Sequence, residues 1–332
     1  MSIEKSRFFA YSPDGNMVSP NSAGSKYTHK NIGKGCTICP RRCNADRNRK
    51  AGYCGEKNVL SVTRAALHFG EEPCISGSRG SGTIFFSGCP MHCVFCQNDL
   101  ISAGSTKLGD GAFSSELSPE RLRDIFFRLI DEGAHNINLV TPTHFTDLII
   151  KALRGGLPIP VVWNCGGYEN IETLRKLDGI VDVYLPDFKY SSPLIAEEYS
   201  SARNYPEIAE AAVREMIRQT GKCITGKDGI LVRGTLVRHL VLPGAGKNTR
   251  GVIDRIAGFP QDSVIFSLMS QYTPRSDIGE KFPELARRIT PNEYENAKDY
   301  LYNSGIEHFF LQELSSADES YIPCFDGTGI ID

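Results

Sequence analysis

The sequence predicts an α/β protein: a partial (β/α)6 barrel, open on one side, preceded by a small cysteine-rich metal-binding module. Three observations carry this expectation. Short apolar runs of strand type alternate with helical stretches from residue 81 onward. These runs are near-continuously apolar, as strands are when both faces of a parallel sheet are covered. Seven of the 11 cysteines fall in two tight groups, 36–54 and 89–96, in the first third of the chain.

The elements follow in order. Residues 1–30 are rich in Ser, Asn, Gly and Lys and read as a weakly structured leading segment. Residues 31–80 carry turn residues and cysteines with little apolar period, a composition that bound metal can fold without much core. GTIFFSG (82–88) is the first core strand, ending in Gly just before the second cysteine group. SPERLRDIFFRLIDEG (118–133) is a helix with Ser118 as N-cap, Pro119 at the first position and a closing Gly. NINLVT (136–141) is a strand, FTDLIIKALRGG (145–156) a helix, IPVVWNCG (159–166) a strand, IETLRKLDG (171–179) a helix and VDVYLPDF (181–188) a strand. One long helical stretch covers about 194–220, and 222–244 reads as a hairpin turning at Lys227-Asp228-Gly229 into another core strand. A helix at 248–259, a strand at 263–272 and an amphipathic helix at 290–305, capped by Thr290-Pro291, complete the pattern. The expected organisation is 1–80 extension and module, 81–275 core, and 276–332 C-terminal helix and tail packed on the core. Ligands of such sheets bind at the carboxyl ends of the strands.

Composition narrows the function. A 40% apolar, 23% charged chain is that of an ordinary globular protein, and a net charge of −2 offers no basic field for nucleic acid or an anionic membrane. No run approaches a membrane span, and the start has no signal-peptide pattern, so a cytoplasmic location is expected. In a reducing compartment clustered cysteines hold metal rather than disulfides.

The second group reads Cys89-Pro-Met-His-Cys93-Val-Phe-Cys96. Three thiolates on one loop can hold three irons of a [4Fe–4S] cube and leave the fourth free. The competing reading is a structural zinc with His92 as fourth ligand. The C-x3-C-x2-C spacing, the aromatic Phe95 before the third Cys and the preceding strand resemble the radical S-adenosylmethionine (SAM) superfamily. That resemblance implies a [4Fe–4S] cluster whose open iron chelates SAM. It also implies a one-electron donor such as flavodoxin or ferredoxin, anaerobic oxidoreductase chemistry, and a 5′-deoxyadenosyl radical that abstracts hydrogen. The cofactor carries the hard chemistry and the protein positions it.

Strand ends supply the expected SAM contacts. Thr141, Thr143 and His144 stand where the superfamily has a Gly-Gly-Glu-like turn, and lack its Gly pair; His144 is either a site residue or a structural histidine. Asn164 either meets the SAM ribose or ammonium or caps a turn beside Gly166-Gly167. Asp187 and Lys189 share one strand face and read as SAM contacts or as an ion pair. The triplet Asp187-Phe188-Lys189 also resembles glycyl-radical-enzyme activases, which implies a monovalent cation as well. Arg238 and His239 point to opposite faces, and Arg238 is the interior choice. Gln271 stands where such activases often carry a His.

Cys36, Cys39, Cys43 and Cys54 can close a second site holding zinc, an auxiliary [4Fe–4S] or a rubredoxin-type iron. Cys74 and Cys165 read as buried thiols, and Cys223 and Cys324 have no assigned role. With this module, GSGTIFFSGCPMHCVFCQN resembles a branch of iron–sulfur proteins related to the pyruvate formate-lyase activating enzyme, over about residue 36 to the end. The activases themselves generally lack the module. Three functions are carried forward: hydrogen abstraction from a protein or peptide, radical modification of a small molecule or ribosomal peptide helped by an auxiliary cluster, and a non-enzymatic iron–sulfur electron-transfer or zinc-scaffold protein.

Overall fold

The computed structural model describes residues 35–316 and 323–331. The leading segment expected over 1–30 lies outside them. From Gly35 the chain forms one compact unit.

The elements are β1 (Leu60–His68), α1 (Pro73–Ser76), β2 (Ser81–Phe86), α2 (Asp99–Ser102), β3 (Ser115–Leu117), α3 (Pro119–Asp131) and β4 (Ile137–Val140). Then come α4 (Thr146–Ala152), β5 (Val161–Cys165), α5 (Ile171–Leu174), β6 (Val183–Pro186), α6 (Pro193–Ser200) and α7 (Tyr205–Thr220). β7 (Ile224–Thr225), β8 (Leu231–Leu240), α8 (Gly246–Ala257), β9 (Val264–Met269), α9 (Pro291–Tyr302) and β10 (Phe309–Leu311) follow. The strand order is β10-β9-β8-β6-β5-β4-β2-β1-β3, with β7 paired to β8 alone. β2, β4, β5, β6, β8 and β9 run parallel, the expected six-strand core, and β10 extends it in parallel. β1 joins β2 and β3 antiparallel.

β1 redraws the expected boundary at residue 80. It lies inside the predicted N-terminal module yet pairs along β2 from Val62↔Phe86 to His68↔Ser81. Its residues Leu60, Val62 and Ala65 are wholly buried in the main core. The helix expected over 194–220 breaks in two, because Ser201 takes a left-handed φ of 47° and α7 restarts with Pro206 in its first turn. The caps hold as read: Ser118 accepts from the Arg121 amide, and Thr290 with Glu293 forms a capping box.

Strand alternation sorts the core. Trp163 and Tyr184 point outward to the helices, while their neighbours Val162, Val183 and Leu185 point inward. On the inner face they meet Cys74 and Ile75 of α1, which fills the interior. Cys74 and Cys165 are buried thiols of this packing. Because α1 enters the interior, the residues just before it, Glu71 and Glu72, are carried in as well.

Candidate active site

Phe85, Val140, Asn164, Asp187, Arg238 and Met269, from the carboxyl ends of six parallel strands, line a single cavity of about 210 Å³. Laid flat, six strands at ~4.8 Å spacing would span roughly 24 Å. A cavity this small touching all of them requires a curved sheet, as a partial barrel has.

The Cys89–Cys96 loop leaves β2 through Ser87 and Gly88. Gly88 has φ 77°, and a side chain there would strike the Cys54 carbonyl at 2.5 Å. The three thiols converge: Cys93 raises the pKa of Cys89, and both raise that of Cys96. Burial is the larger cause, and it pushes Cys89 to about 11 and Cys96 to about 12. The Ser200 hydroxyl lies 3.0 Å from Cys93 Sγ, and the Met91 amide 3.4 Å from Cys89 Sγ. Cys93, Phe95 and Cys96 line the cavity. Phe95 packs edge-on against Tyr190, Tyr199 and Tyr272, which fixes the loop. His92, the alternative fourth ligand, turns away: its Nε2 lies 2.9 Å from the Tyr53 carbonyl and its ring meets Tyr53 edge-on.

Within electrostatic reach of the thiols stands a charged wall. Lys189 Nζ donates to Asp187 at 2.6 Å, and Arg238 Nε donates to the other Asp187 oxygen at 3.0 Å. Arg238 also donates to Glu71 at 2.9 Å and to Asn164 Oδ1 at 2.7 Å. Burial alone would raise the Asp187 pKa, but Lys189 and Arg238 outweigh it and hold the carboxylate below its usual range. Burial likewise works against the charge on Lys189, yet Asp187 and Cys93 keep its pKa above the ordinary lysine value. Glu71 accepts from Asn138 and Asn164 as well, at 3.0 and 3.1 Å. His239 points outward, between the Phe188 carbonyl and Thr249. Gln271 reaches the cavity rim and bonds Gln312 at 2.7 Å.

The structure thus brings together Phe95, Asn164, Asp187, Lys189, Arg238 and Gln271 beside the thiols. Thr141, Thr143 and His144 are not among the residues that line this cavity. Thr143 donates to buried Glu169 at 2.6 Å, and the His144 Nε2 lies 2.8 Å from the Ser87 carbonyl. Burial, then nearby Arg47, depresses the His144 pKa to about 3, so the ring is neutral and structural. Thr141 adopts φ 58°, its amide donating to the Asn164 carbonyl at 2.8 Å. Glu71 was missed, since Glu-Glu-Pro before a one-turn helix gives no sign that the helix enters the barrel.

The upstream cysteines share a second neighbourhood. Cys36 and Cys54 act on Cys39, Cys36 on Cys54, and Cys43 interacts directly with Cys36. Burial first, then those thiols, pushes Cys39 to about 12. At Cys43 burial is outweighed by backbone hydrogen bonds from Tyr53 and Ala45, which lower its pKa toward the thiolate. A Cβ on Gly52 would sit 3.3 Å from Cys43 Sγ and 3.6 Å from Cys54 Sγ, so glycine keeps the space between them open. Among the described residues, no three His, Cys, Asp or Glu side chains close around one metal-ion position. The two neighbourhoods are cysteine-only donor sets, soft ligands suited to iron–sulfur clusters or zinc.

No family model matches the chain. It is 33% identical over 272 residues to Uncharacterized protein MJ0674 of Methanocaldococcus jannaschii, covering 81% of this chain and 74% of that protein. Among solved structures, Streptococcus suis SuiB bound to S-adenosylmethionine has a TM-score of 0.47 at 11% identity over 69% of this chain, which spans 49% of SuiB. A mutant of spore photoproduct lyase gives 0.45 at 11% identity, with 68% of this chain and 74% of that one covered. A domain of pyruvate-formate lyase-activating enzyme from Bacteroides vulgatus gives 0.33 at 14%, over 59% of this chain and 91% of that one. Likenesses this distant transfer no activity. The sequence match over most of both chains does establish kinship: the chain belongs to the family of the Methanocaldococcus jannaschii protein MJ0674.

Proposed function

We propose that this chain is a radical SAM enzyme. The observation that carries the reading is that Cys89, Cys93 and Cys96 lie within electrostatic reach of one another on one loop at a barrel cavity also lined by Lys189, Asp187, Arg238 and Asn164. Three thiols and no fourth protein ligand on that loop suit a cluster that keeps one iron for SAM. When bound, cluster and SAM supply one-electron cleavage and the radical that follows.

The chain's own residues bind and orient. Lys189 has N–H donors beyond the one given to Asp187, and Arg238 keeps donors beyond its three bonds; these would hold the SAM carboxylate. Asp187 and Asn164 offer oxygens to the SAM ammonium or ribose. Phe95 and its tyrosine cage exclude water from the cluster side. Cys36, Cys39, Cys43 and Cys54 hold the second metal, zinc or iron–sulfur.

For the substrate, we favour a protein or peptide segment admitted on the open side of the barrel, as in an activase of a glycyl-radical partner, with flavodoxin or ferredoxin as reductant. A second reading rests on a contiguous cavity of about 310 Å³ between β10 and the β1–α1 connection, lined by Glu72, Ser267, Gln312 and Glu313. Its lining also includes Phe69, Met269, Phe310 and Leu311, a mixed surface that suits a small amphipathic molecule.

Anaerobically reconstituted protein treated with dithionite is expected to release 5′-deoxyadenosine and methionine from SAM. The Cys89→Ala/Cys93→Ala/Cys96→Ala variant should release neither while retaining the upstream metal. Continued cleavage by that variant would refute the assignment.

A further inference from the structure

The two cysteine loops are fastened to each other. Arg41 sits between Cys39 and Cys43 of the upstream group. Its Nε donates to the Pro90 carbonyl at 2.7 Å, and one terminal nitrogen reaches the Met91 carbonyl at 3.4 Å and the Ser200 carbonyl at 2.6 Å. The other terminal nitrogen donates to the Ser201 carbonyl. Pro90 and Met91 lie between Cys89 and Cys93. The guanidinium is held between two rings, 4.3 Å from the Tyr53 centroid and 5.2 Å from that of Tyr168.

Two further links come from the same module. The Cys89 amide donates to the Cys54 carbonyl at 3.1 Å, and His92 meets the Tyr53 carbonyl. Arg41 lies two residues from both Cys39 and Cys43, and Tyr53 adjoins Cys54. Together Arg41, Tyr53 and Cys54 engage residues 89, 90, 91 and 92, the first half of the other cysteine loop. That loop needs external support: His92 is held at φ 50°, a left-handed conformation that costs a non-glycine residue energy. The supporting module has little core of its own. Over 35–59 its buried apolar side chains are Cys39, Ala45 and Cys54. With so little apolar burial the segment is held by polar links to the barrel, Asn170 and Thr173 donating to the Thr37 and Ile38 carbonyls and Ser87 to Glu56, and by what its four thiols bind.

Building on the radical SAM reading, we infer that metal in the upstream site is a prerequisite for the SAM cluster, with Arg41 as the positioning residue that joins them. Loaded, the module presents the Arg41 fork and the Tyr53 and Cys54 carbonyls in the places that the Cys89–Cys96 backbone requires. Unloaded, that template is lost. The coupling is reciprocal in free energy, but the module's four thiols need no ligand from the Cys89–Cys96 loop, so the upstream site should stay occupied when that loop's cluster is removed.

The test compares full-length, anaerobically reconstituted proteins by iron, sulfide and zinc content, by the EPR signal of the reduced cluster with and without SAM, and by the rate of iron loss to a chelator. Cys89→Ala/Cys93→Ala/Cys96→Ala should keep its upstream metal in full. A variant with Cys36, Cys39, Cys43 and Cys54 changed to Ser should lose both metals. Arg41→Ala should keep the upstream metal yet release cluster iron at least tenfold faster and lose the SAM-dependent change in the EPR signal. Arg41→Lys keeps the charge but not the fork, so it should recover only part of both. Should Arg41→Ala prove too unstable, Arg41→Lys alone decides: wild-type chelator kinetics and EPR in that variant overturn the inference. So does a full, SAM-responsive cluster in the four-serine variant. A wild type that holds no cluster at Cys89–Cys96 refutes the radical SAM reading instead, a separate result.

Discussion

His144 shows how a single residue changes meaning once its surroundings are known. A histidine beside a strand end in a β/α protein reads either as a site residue or as a structural one. In the structure its ring is 2% exposed, held by the Ser87 carbonyl and unpartnered at Nδ1. Its pKa falls to about 3 and that of buried His239 to about 4, burial being the main cause at both. Both rings are neutral when folded and take up protons near pH 6.5 when unfolded. Their contribution is therefore full above about pH 6.5 and is lost as pH falls from there toward 4 and then 3. For His144 this amounts to a few kcal/mol. Urea midpoints between pH 7 and 5 should fall less steeply in His144→Gln than in wild type. Equal slopes would show that His144 is not neutral in the folded protein.

At the scale of elements, local signals were legible where local interactions decide. Ser118 and Thr290 cap their helices as the sequence indicated because a cap needs only residues within one turn. Thr290→Ala removes the bond that the Glu293 amide donates to the Thr290 hydroxyl, leaves the Thr290 amide donating to the Glu293 carboxylate, and should cost about 1 kcal/mol in urea unfolding. An unchanged midpoint would mean that the Arg287–Glu293 pair, with contacts of 2.8 Å, holds that helix start unaided. β1 and β10 escaped notice for different reasons. β1 lies in a stretch dominated by cysteines and turns, and β10 is three residues long, too short for a period to show. The break between α6 and α7 rests on one left-handed residue, Ser201, for which no Gly gave a signal.

At the scale of the molecule, Arg238 is the residue that ties the barrel interior together. From β8 it reaches Asp187 after β6, Asn164 of β5 and Glu71 of the β1–α1 connection. Its side chain is 14% exposed and those of Glu71 and Asp187 are 10% and 18% exposed. Removing Arg238 leaves Glu71 with only its two asparagine donors and Asp187 with Lys189 alone. Arg238→Met should destabilise the fold by about 3–5 kcal/mol and abolish measurable SAM binding by the reconstituted protein. Arg238→Lys restores the charge without the three-way fork, and should regain stability more than SAM affinity. Full SAM affinity in Arg238→Met would remove Arg238 from the site. Among the described residues no helix is long and apolar enough to cross a membrane.

The sequence by itself determined the cysteine spacing, the strand–helix alternation and which strand ends carry polar groups. These depend on residues a few positions apart, so periodicity and spacing report them directly. Only the tertiary structure decided that Glu71 joins Arg238 across 167 positions, that Arg41 reaches Pro90 across 49, and that Thr143 and His144 stay outside the cavity. Those contacts exist because a curved sheet brings distant strand ends to one mouth and a one-turn helix fills its interior. Side chains paired by such closure leave no periodic trace in the chain.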